Sequence, residues 1–311
     1  MRIAVFGVGA VGAYFGWRLA HAGEDVVFIA RGETFRVLST QGLTVETLDG
    51  QSHVQSIQVV DGPGKAGQVD AVLLGVKAWQ VPEAAQALRP LIGPETFVVP
   101  LQNGVEAPSQ LADELGREHA FGGLCYIVSL KIGPGHFRHG GLEPRVLFGE
   151  LDNRPSERAG QLLDAFLHAR VKAEIPRDVH VAMWEKFLFI ASLSGVGAVT
   201  RAPAGIMRSI PETRRMLEMV TRELVAVARA RGIALKEDAV ESTMALIDAL
   251  PHNGTASMQR DIIDGRPSEL SAQNGAAMRL GEESGQPTPL NTFIYGSLLP
   301  LEMRARGQVQ F

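Results

Sequence analysis

Residues 2–31 read RIAVFGVGAVGAYFGWRLAHAGEDVVFIAR, and this stretch decides the fold. An apolar run at 2–6 precedes a glycine-rich turn, a segment at 10–22 that can form a helix, and a second apolar run at 25–30. Strand, helix and strand in this order predict a βαβ unit with parallel strands. We therefore expect an α/β fold that begins with a Rossmann-type, mainly parallel sheet.

The turn after the first strand has the spacing Gly-x-Gly-x-x-Gly. The first glycine permits the tight turn, the second lets the backbone approach a pyrophosphate, and the third lets the helix pack closely on the sheet. The helix N-terminus adds N–H groups and a partial positive charge. A chance glycine-rich turn is the alternative, but motif, position and βαβ context together favour dinucleotide binding. The predicted cofactor-binding residues are Gly7, Val8, Gly9, Ala10, Val11 and Gly12.

Arg31 ends the second strand, 19 residues after Gly12. An NAD-binding chain carries Asp or Glu at about this distance to bind the ribose 2′-hydroxyl. A guanidinium would instead pair with a 2′-phosphate, which a carboxylate would repel. Arg31 therefore favours NADPH. The alternative is a solvated Arg31, with Glu33 binding the ribose.

Alternating strand and helix patterns continue to about residue 115 and extend the parallel sheet. Residues 120–150 resemble a β-rich meander on one side of it, and a helix at 156–170 with a strand at 171–175 completes a first domain at 1–176. The other candidate strands are 43–47, 54–59, 71–76 and 96–99, and the other candidate helices are 81–89 and 105–115.

Strand patterns nearly vanish after Pro176, which predicts an all-helical second domain at 177–311. Glycines at 232 and 281 are interpreted as the C-terminal stops of helices. The candidate helices are 179–193, 211–230, 237–250, 290–306 and one that begins near 271.

Charge and cysteine content restrict the partners. The 311 residues include 30 basic and 34 acidic side chains, so no broad cationic field favours nucleic acid or anionic lipid. The longest apolar run, 187–193, is far shorter than the roughly 20 residues that span a bilayer. His136 and His139 lack the further ligands of a metal site. With Cys125 as its one cysteine the chain suits a reducing compartment, so we expect a cytoplasmic protein that acts on small molecules without a metal.

Several motifs follow one another along nearly the whole chain: GVGAVG at 7–12, Arg31, VKAWQ at 76–80, QNGV at 102–105, WEKF at 184–187, SM at 257–258, and Glu269. In this order they resemble the ketopantoate reductase family (2-dehydropantoate 2-reductases), NADPH-dependent enzymes of pantothenate synthesis. The first motif is common to many dehydrogenases, whereas the VKAWQ, QNGV and WEK motifs are more specific. The resemblance implies a Rossmann domain, a helical domain, and a 2-oxoacid bound in the cleft between them. It leaves the oligomeric state open, a homodimer included.

The resemblance also implies roles for single residues. Lys77 would lie near cofactor and substrate, and Asn103 would bind the nicotinamide ribose and the substrate. Lys186 would polarise the 2-oxo group and donate the proton that completes reduction. Glu269 would bind the substrate hydroxyl and orient the lysine, and Ser257 would bind the substrate carboxylate.

The residues alone leave simpler interpretations open. Lys77 could be an exposed lysine that opens a helix, and Asn103 could belong to an Asn-Gly turn. Glu269 could complement a helix dipole, and Ser257 could cap the following helix. Lys186 is the strongest candidate, because it begins an apolar stretch and an unpaired buried ammonium is costly, although a snorkelling lysine beside Glu185 has the same pattern.

Three positions depart from the family pattern. Ile190 and Ser194 stand where ketopantoate-reducing members usually carry asparagines, and Gly254 stands where they carry another. Of these, we retain Ser194 as a substrate-binding candidate. Without these amides the identity of the substrate is in doubt, because a hydrogen bond between a buried polar group and the substrate can change kcat/KM by a large factor. A paralogous reductase of another branched 2-oxoacid is therefore the first alternative. A non-catalytic NADPH-sensing protein is the second, but it would not need Lys186 and Glu269.

Overall fold

The computed structural model describes residues 1–311, apart from the side chain of Leu142, and the chain forms two compact units. The first comprises Met1–Gln102 and Ala107–Val179, and the second comprises Asn103–Glu106 and His180–Phe311. The predicted fold class is confirmed, because a parallel α/β unit is followed by a helical one. The segment Asn103–Glu106 belongs with the helices, although it directly follows a strand of the first unit.

The first unit combines short strands and helices as far as residue 115 and then continues with two long strands. Its elements in chain order are β1 (Arg2–Phe6), α1 (Ala10–His21), β2 (Asp25–Ile29), α2 (Gly32–Gln41), β3 (Leu43–Glu46), β4 (Ser52–Gln55), β5 (Gln58–Val60), β6 (Ala71–Leu74), α3 (Val81–Leu88), β7 (Phe97–Pro100), α4 (Ala107–Leu115), β8 (Phe121–Gly133), β9 (His136–Glu150), α5 (Glu157–His168) and β10 (Lys172–Glu174).

A parallel sheet with the strand order β5-β2-β1-β6-β7 forms the centre of the first unit. This is the order of a nucleotide-binding Rossmann sheet. Apart from the edge strand β5, its strands are almost entirely buried, because both faces are covered. In β1, Ile3 and Val5 pack into one hydrophobic core, whereas Ala4 and Phe6 pack into another on the opposite face. The carboxyl ends of β1, β6 and β7 are therefore neighbours at one edge of this sheet.

A second, mixed sheet corrects two sequence predictions. Residues 54–59 are not one strand, because β4 pairs with β3 in the second sheet whereas β5 pairs with β2 in the first. Residues 120–150 form a long β8–β9 hairpin in the second sheet rather than a meander beside the first. Different parts of β9 pair in parallel with β3 and with β10.

The second unit is built around a long apolar helix. Residues 179–200 are long and apolar enough to span a membrane, but 78% of the apolar window is buried inside the protein, as in a core helix. Gly281 does not stop a helix as predicted; it lies within one, and Gly285 follows that helix with φ +67°. The helices are α6 (Val179–Thr200), α7 (Ala204–Ser209), α8 (Pro211–Ala230), α9 (Ala239–Asp248), α10 (Ser257–Ile263), α11 (Asn274–Glu283) and α12 (Pro289–Ala305).

Candidate active site

The glycine-rich turn has the geometry of a phosphate cradle. Gly7 has φ +95°, and a Cβ there would lie 2.7 Å from the backbone nitrogen of Val76. A Cβ on Gly12 would lie 2.4 Å from the carbonyl oxygen of Gly7, so only glycine lets α1 approach this closely. At Gly9, the nearest atom to an added Cβ is the Gly75 oxygen at 3.7 Å, which leaves open space beside the N-terminus of α1. The residues present thus fit a bound pyrophosphate.

The segment after β6 positions Lys77 at the carboxyl edge of the parallel sheet. Gln102, which follows β7, donates from Nε2 to the carbonyl oxygens of Leu74 (2.7 Å) and Val76 (3.0 Å) and so ties the two strand ends together. Lys77 is exposed, and its Nζ lies 5.8 Å from the centre of the Trp79 ring. Gln102 is therefore a positioning residue of this edge, which the sequence analysis did not identify.

Arg31 occupies the N-cap position of α2, with an exposed side chain. Glu33, the alternative ribose ligand, lies in the first turn of the same helix, 3.7 Å from the guanidinium of Arg36. Both of those side chains are also exposed. The edge of the sheet beside β2 thus presents Arg31 together with an Arg36–Glu33 pair.

Lys186 is buried in α6 with 8% of its surface exposed. Trp184, Phe187 and Leu188 around it are also buried, whereas Glu185 is exposed, and the rings of Trp184 and Phe187 meet edge to face at a centroid distance of 5.4 Å. The helix is apolar because it forms the core of the second unit. Burying an ammonium group at this position costs free energy unless an opposite charge or hydrogen-bond acceptors compensate it.

Asn103 and Glu269 are brought together in the second unit. The Asn103 side-chain amide donates to Glu269 Oε2 at 3.1 Å, and the carboxylate is 94% buried, with 6% exposed. Gly104 makes this possible: it has φ +110°, and a Cβ there would lie 2.9 Å from the Ala272 carbonyl oxygen. The helix expected near residue 271 begins at Asn274, so Glu269 lies in the preceding turn and not in the first turn of a helix.

The remaining substrate candidates differ in their surroundings. Ser257 is the first residue of α10, and Ala256 is its N-cap, so Ser257 does not cap that helix as the alternative interpretation required. Ser194 is fully buried, whereas Ile190 is half-buried. Gly254 contributes its backbone, because its carbonyl oxygen accepts from the Ala204 N–H at 2.9 Å.

Gln273 is a further polar residue near Glu269 that the sequence analysis missed. It is fully buried, and its backbone N–H donates to the Glu269 carbonyl oxygen at 3.0 Å. Neither polar atom of its side-chain amide has a hydrogen-bond partner among the described residues, and the same holds for the Ser194 hydroxyl. The signal available in the sequence was a Gln-Asn pair one turn after Glu269, at the N-cap and first position of α11.

Two family models cover most of the chain. Residues 3–153 match the ketopantoate reductase PanE/ApbA model, and residues 178–302 match the model of the PanE/ApbA C-terminal domain. The chain belongs to the ketopantoate reductase family. The predicted family is therefore confirmed, and with it an oxidoreductase that uses a nicotinamide cofactor.

Individual relatives match nearly the whole length of the chain. An uncharacterized oxidoreductase of Bacillus subtilis is 28% identical over 96% of this chain and 98% of its own. A 2-dehydropantoate 2-reductase of Nostoc is 27% identical over 99% of this chain and 98% of its own. Among solved structures, a PanE/ApbA family ketopantoate reductase from Ralstonia eutropha superposes with a TM-score of 0.89, 28% identity, and coverage of 98% of this chain and 100% of its own. A D-mandelate dehydrogenase with NADH and anilino(oxo)acetate has the same fold, with a TM-score of 0.89, 23% identity, and coverage of 98% and 100%.

Proposed function

We propose that the protein reduces a 2-oxoacid to the 2-hydroxyacid with NADPH. The leading reaction is 2-dehydropantoate (ketopantoate) to pantoate, in cytoplasmic pantothenate biosynthesis. The observation that carries the proposal is the burial of Lys186 in a mainly apolar helix of a ketopantoate reductase family member. An ammonium is retained at such a position when its charge serves chemistry or binding.

The reaction needs a proton donor beside the carbonyl oxygen. The cofactor, when bound, supplies a hydride to the carbonyl carbon, which leaves negative charge on that oxygen. The Lys186 ammonium stabilises this charge and donates the proton. Asn103 and Glu269 hold the substrate, and their hydrogen bond fixes the carboxylate before the substrate arrives. A positioned donor of this kind typically contributes about 10²- to 10⁴-fold to the rate.

The preference for NADPH rests on the charge at the end of β2. Arg31 is the N-cap residue of α2, and its exposed guanidinium is suited to a 2′-phosphate. Glu33, which would serve NADH, lies beside Arg36. This arrangement favours an anionic ligand over a neutral ribose. NADH remains the competing cofactor, because a D-mandelate dehydrogenase of the same fold binds it.

The substrate is bound by a polar set that differs from the asparagines of ketopantoate-reducing members. Ile190, Ser194 and Gly254 remove amides, whereas Gln273 supplies a buried amide whose polar atoms have no protein partner in the described part of the chain. We assign Gln273 and Ser194 to the polar end of the substrate, since leaving such groups unsatisfied costs about 1–3 kcal/mol each. The replacement of the family asparagines favours the second candidate function, which is reduction of a branched 2-oxoacid other than ketopantoate.

A steady-state assay of NADPH oxidation with a panel of 2-oxoacids tests the proposal. The panel contains ketopantoate, its analogue without the distal hydroxyl, and an aryl 2-oxoacid. Reduction of any member supports the reaction type, and the ranking by kcat/KM identifies the substrate. The account predicts that ketopantoate exceeds its deoxy analogue by less than about 100-fold, because the missing amides weaken hydroxyl recognition. An excess of several orders of magnitude would show that other groups have replaced those amides. No turnover with any 2-oxoacid would contradict the proposed reaction.

A further inference from the structure

A second buried carboxylate, that of Glu302 in α12, lies beside the segment that carries Glu269. Its Oε1 and Oε2 accept from the backbone N–H of Ser268 at 3.1 and 3.0 Å, and Oε2 also accepts from the Ser268 hydroxyl. Both residues are almost completely buried, with 6% of Glu302 and 1% of Ser268 exposed. Glu302 thus holds the residue immediately before Glu269.

Arg306, the C-cap residue of α12, belongs to the same network. Its Nε donates to Glu302 Oε1 at 2.6 Å, and its Nη2 donates to the Ser268 carbonyl oxygen at 3.2 Å. The Ser268 hydroxyl oxygen in turn accepts from the Leu270 N–H at 3.3 Å. The end of α12 therefore binds the N–H, the carbonyl and the hydroxyl of Ser268.

These contacts fix the backbone of Glu269 from both sides. The peptide group before Glu269 is held through the Ser268 carbonyl, and the N–H after it is held through the Ser268 hydroxyl. The Glu269 carbonyl oxygen accepts from the backbone N–H groups of Ala272 and Gln273, at 3.1 and 3.0 Å. With this backbone fixed, the hydrogen bond from Asn103 orients the Glu269 side chain.

A carboxylate at position 302 is better explained by orientation than by stability. A buried ion pair is often no more stabilising than well-packed apolar side chains of the same volume, because both charges lose their hydration. A charged group that accepts several hydrogen bonds does, however, define one conformation of its partners. The partner here is the residue that precedes Glu269.

We propose that Glu302 is a positioning residue for Glu269. Glu302 holds Ser268, and through Ser268 it keeps the Glu269 carboxylate in the place where it binds the substrate and orients Lys186. The inference rests on the proposed function, because that function gives Glu269 its role. Glu302 acts only through Glu269, so its contribution to the reaction should disappear when the Glu269 carboxylate is removed.

A double-mutant cycle between Glu302→Gln and Glu269→Ala tests this dependence. Glutamine keeps the shape of the side chain but replaces one acceptor oxygen with an NH2 group, which then faces a donor of Ser268 or Arg306. We expect Glu302→Gln to lower kcat/KM for the 2-oxoacid about 10- to 100-fold, since a displacement of about 1 Å can cost this much, and to leave NADPH affinity within about twofold. In the Glu269→Ala background the same substitution should change kcat/KM by less than about twofold.

A matched control and a milder variant separate positioning from stability. Glu150 is another almost fully buried carboxylate, paired with Arg158 at 2.8 Å in the first unit, so Glu150→Gln should lower the melting temperature and leave kcat/KM within about twofold. Ser268→Ala removes only the hydroxyl of the network, which keeps the test available if Glu302→Gln does not fold. It should lower kcat/KM about 2- to 10-fold, and by less than about twofold in the Glu269→Ala background.

Crystal structures of the unmodified protein and of Glu302→Gln give a result that does not depend on turnover. The proposal predicts that the Asn103–Glu269 hydrogen bond is present in the first and lost in the second. Retention of this bond in Glu302→Gln, an unchanged kcat/KM, or an equal loss of kcat/KM in both backgrounds would each overturn the proposal. If the unmodified protein turned over no 2-oxoacid, the proposed function would be wrong, and the two crystal structures would still decide whether Glu302 positions Glu269.

Discussion

The Asn103 side-chain amide donates to the Glu269 carboxylate at 3.1 Å, although the two residues are 166 positions apart in the sequence. The contact joins the turn after β7 to the segment before α11, and it orients a carboxylate that is almost fully buried. A charge-assisted hydrogen bond of this kind fixes one rotamer of the acid before any ligand binds. The two residues should therefore act as one unit in substrate binding.

A double-mutant cycle measures this coupling. Asn103→Ala and Glu269→Ala should each lower kcat/KM for the 2-oxoacid, and the double variant should lose less than the product of the two single losses. We expect a coupling energy of about 0.5–3 kcal/mol. Glu237→Ala, at an exposed acid of the same unit, is the control and should leave kcat/KM unchanged. Strictly multiplicative losses would show that the hydrogen bond has no part in catalysis.

Gln273→Met should separate substrate binding from stability. The substitution keeps the length of the side chain and removes an amide whose polar atoms have no partner within the described chain. We expect KM for the 2-oxoacid to rise about 5- to 150-fold, equivalent to 1–3 kcal/mol, while the melting temperature of the free protein stays the same or rises. A lower melting temperature with an unchanged KM would assign Gln273 a purely structural role.

Arg31→Ala should remove the cofactor preference. We expect NADPH to bind the unmodified protein more tightly than NADH, and the variant to lose most of this difference in affinity. Each tenfold difference in Kd corresponds to about 1.4 kcal/mol of binding free energy. Arg36→Ala removes the same charge from the same helix and should keep the preference, since Arg36 lies beside Glu33. Fluorescence titrations with both cofactors measure the affinities. Equal affinities for NADPH and NADH in the unmodified protein would exclude this role for Arg31.

An ion pair between α8 and α9 predicts an acid-dependent loss of stability. Arg214 donates to both carboxylate oxygens of Asp248, at 2.6 and 2.8 Å, and these hydrogen bonds lower the pKa of the carboxyl. A lowered pKa in the folded state stabilises the fold above the unfolded pKa, and this contribution is lost as the pH falls through the folded value. Because both groups are about 40% exposed, we expect Asp248→Asn to cost only about 0.2–1 kcal/mol at neutral pH. Urea unfolding should show no difference between the two proteins at a pH below the folded pKa.

The sequence predicted local features well and long-range ones poorly. The β1–α1–β2 unit could be predicted because apolar periodicity and the glycines at 7–12 act within 30 residues. Residues 54–59 were misread because the exchange between two sheets is decided by distant partners, β3 for one half and β2 for the other. Gly281 was misread because it permits close packing within a helix: a Cβ there would lie 2.7 Å from the Thr288 methyl group.

The candidate site shows the same division. Lys186 could be identified as a candidate from the sequence, because a lysine beside a long apolar run is unusual and the run itself predicts a buried helix. The Asn103–Glu269 contact and the unsatisfied amide of Gln273 could not be predicted, since both depend on how the turn at 103–106 packs against the turn at 269–273.

Single-turnover reduction by Lys186→Met tests the central claim most directly. Methionine keeps most of the side chain's length and removes the ammonium, and Lys236→Met makes the same change at an exposed lysine of the same unit. The account predicts that Lys186→Met slows oxidation of bound NADPH by the 2-oxoacid about 10²- to 10⁴-fold, with NADPH affinity within a few-fold of the original and Lys236→Met unaffected. If Lys186→Met reduced the 2-oxoacid at close to the original rate, Lys186 would not be the proton donor, and Lys77 would become the next candidate.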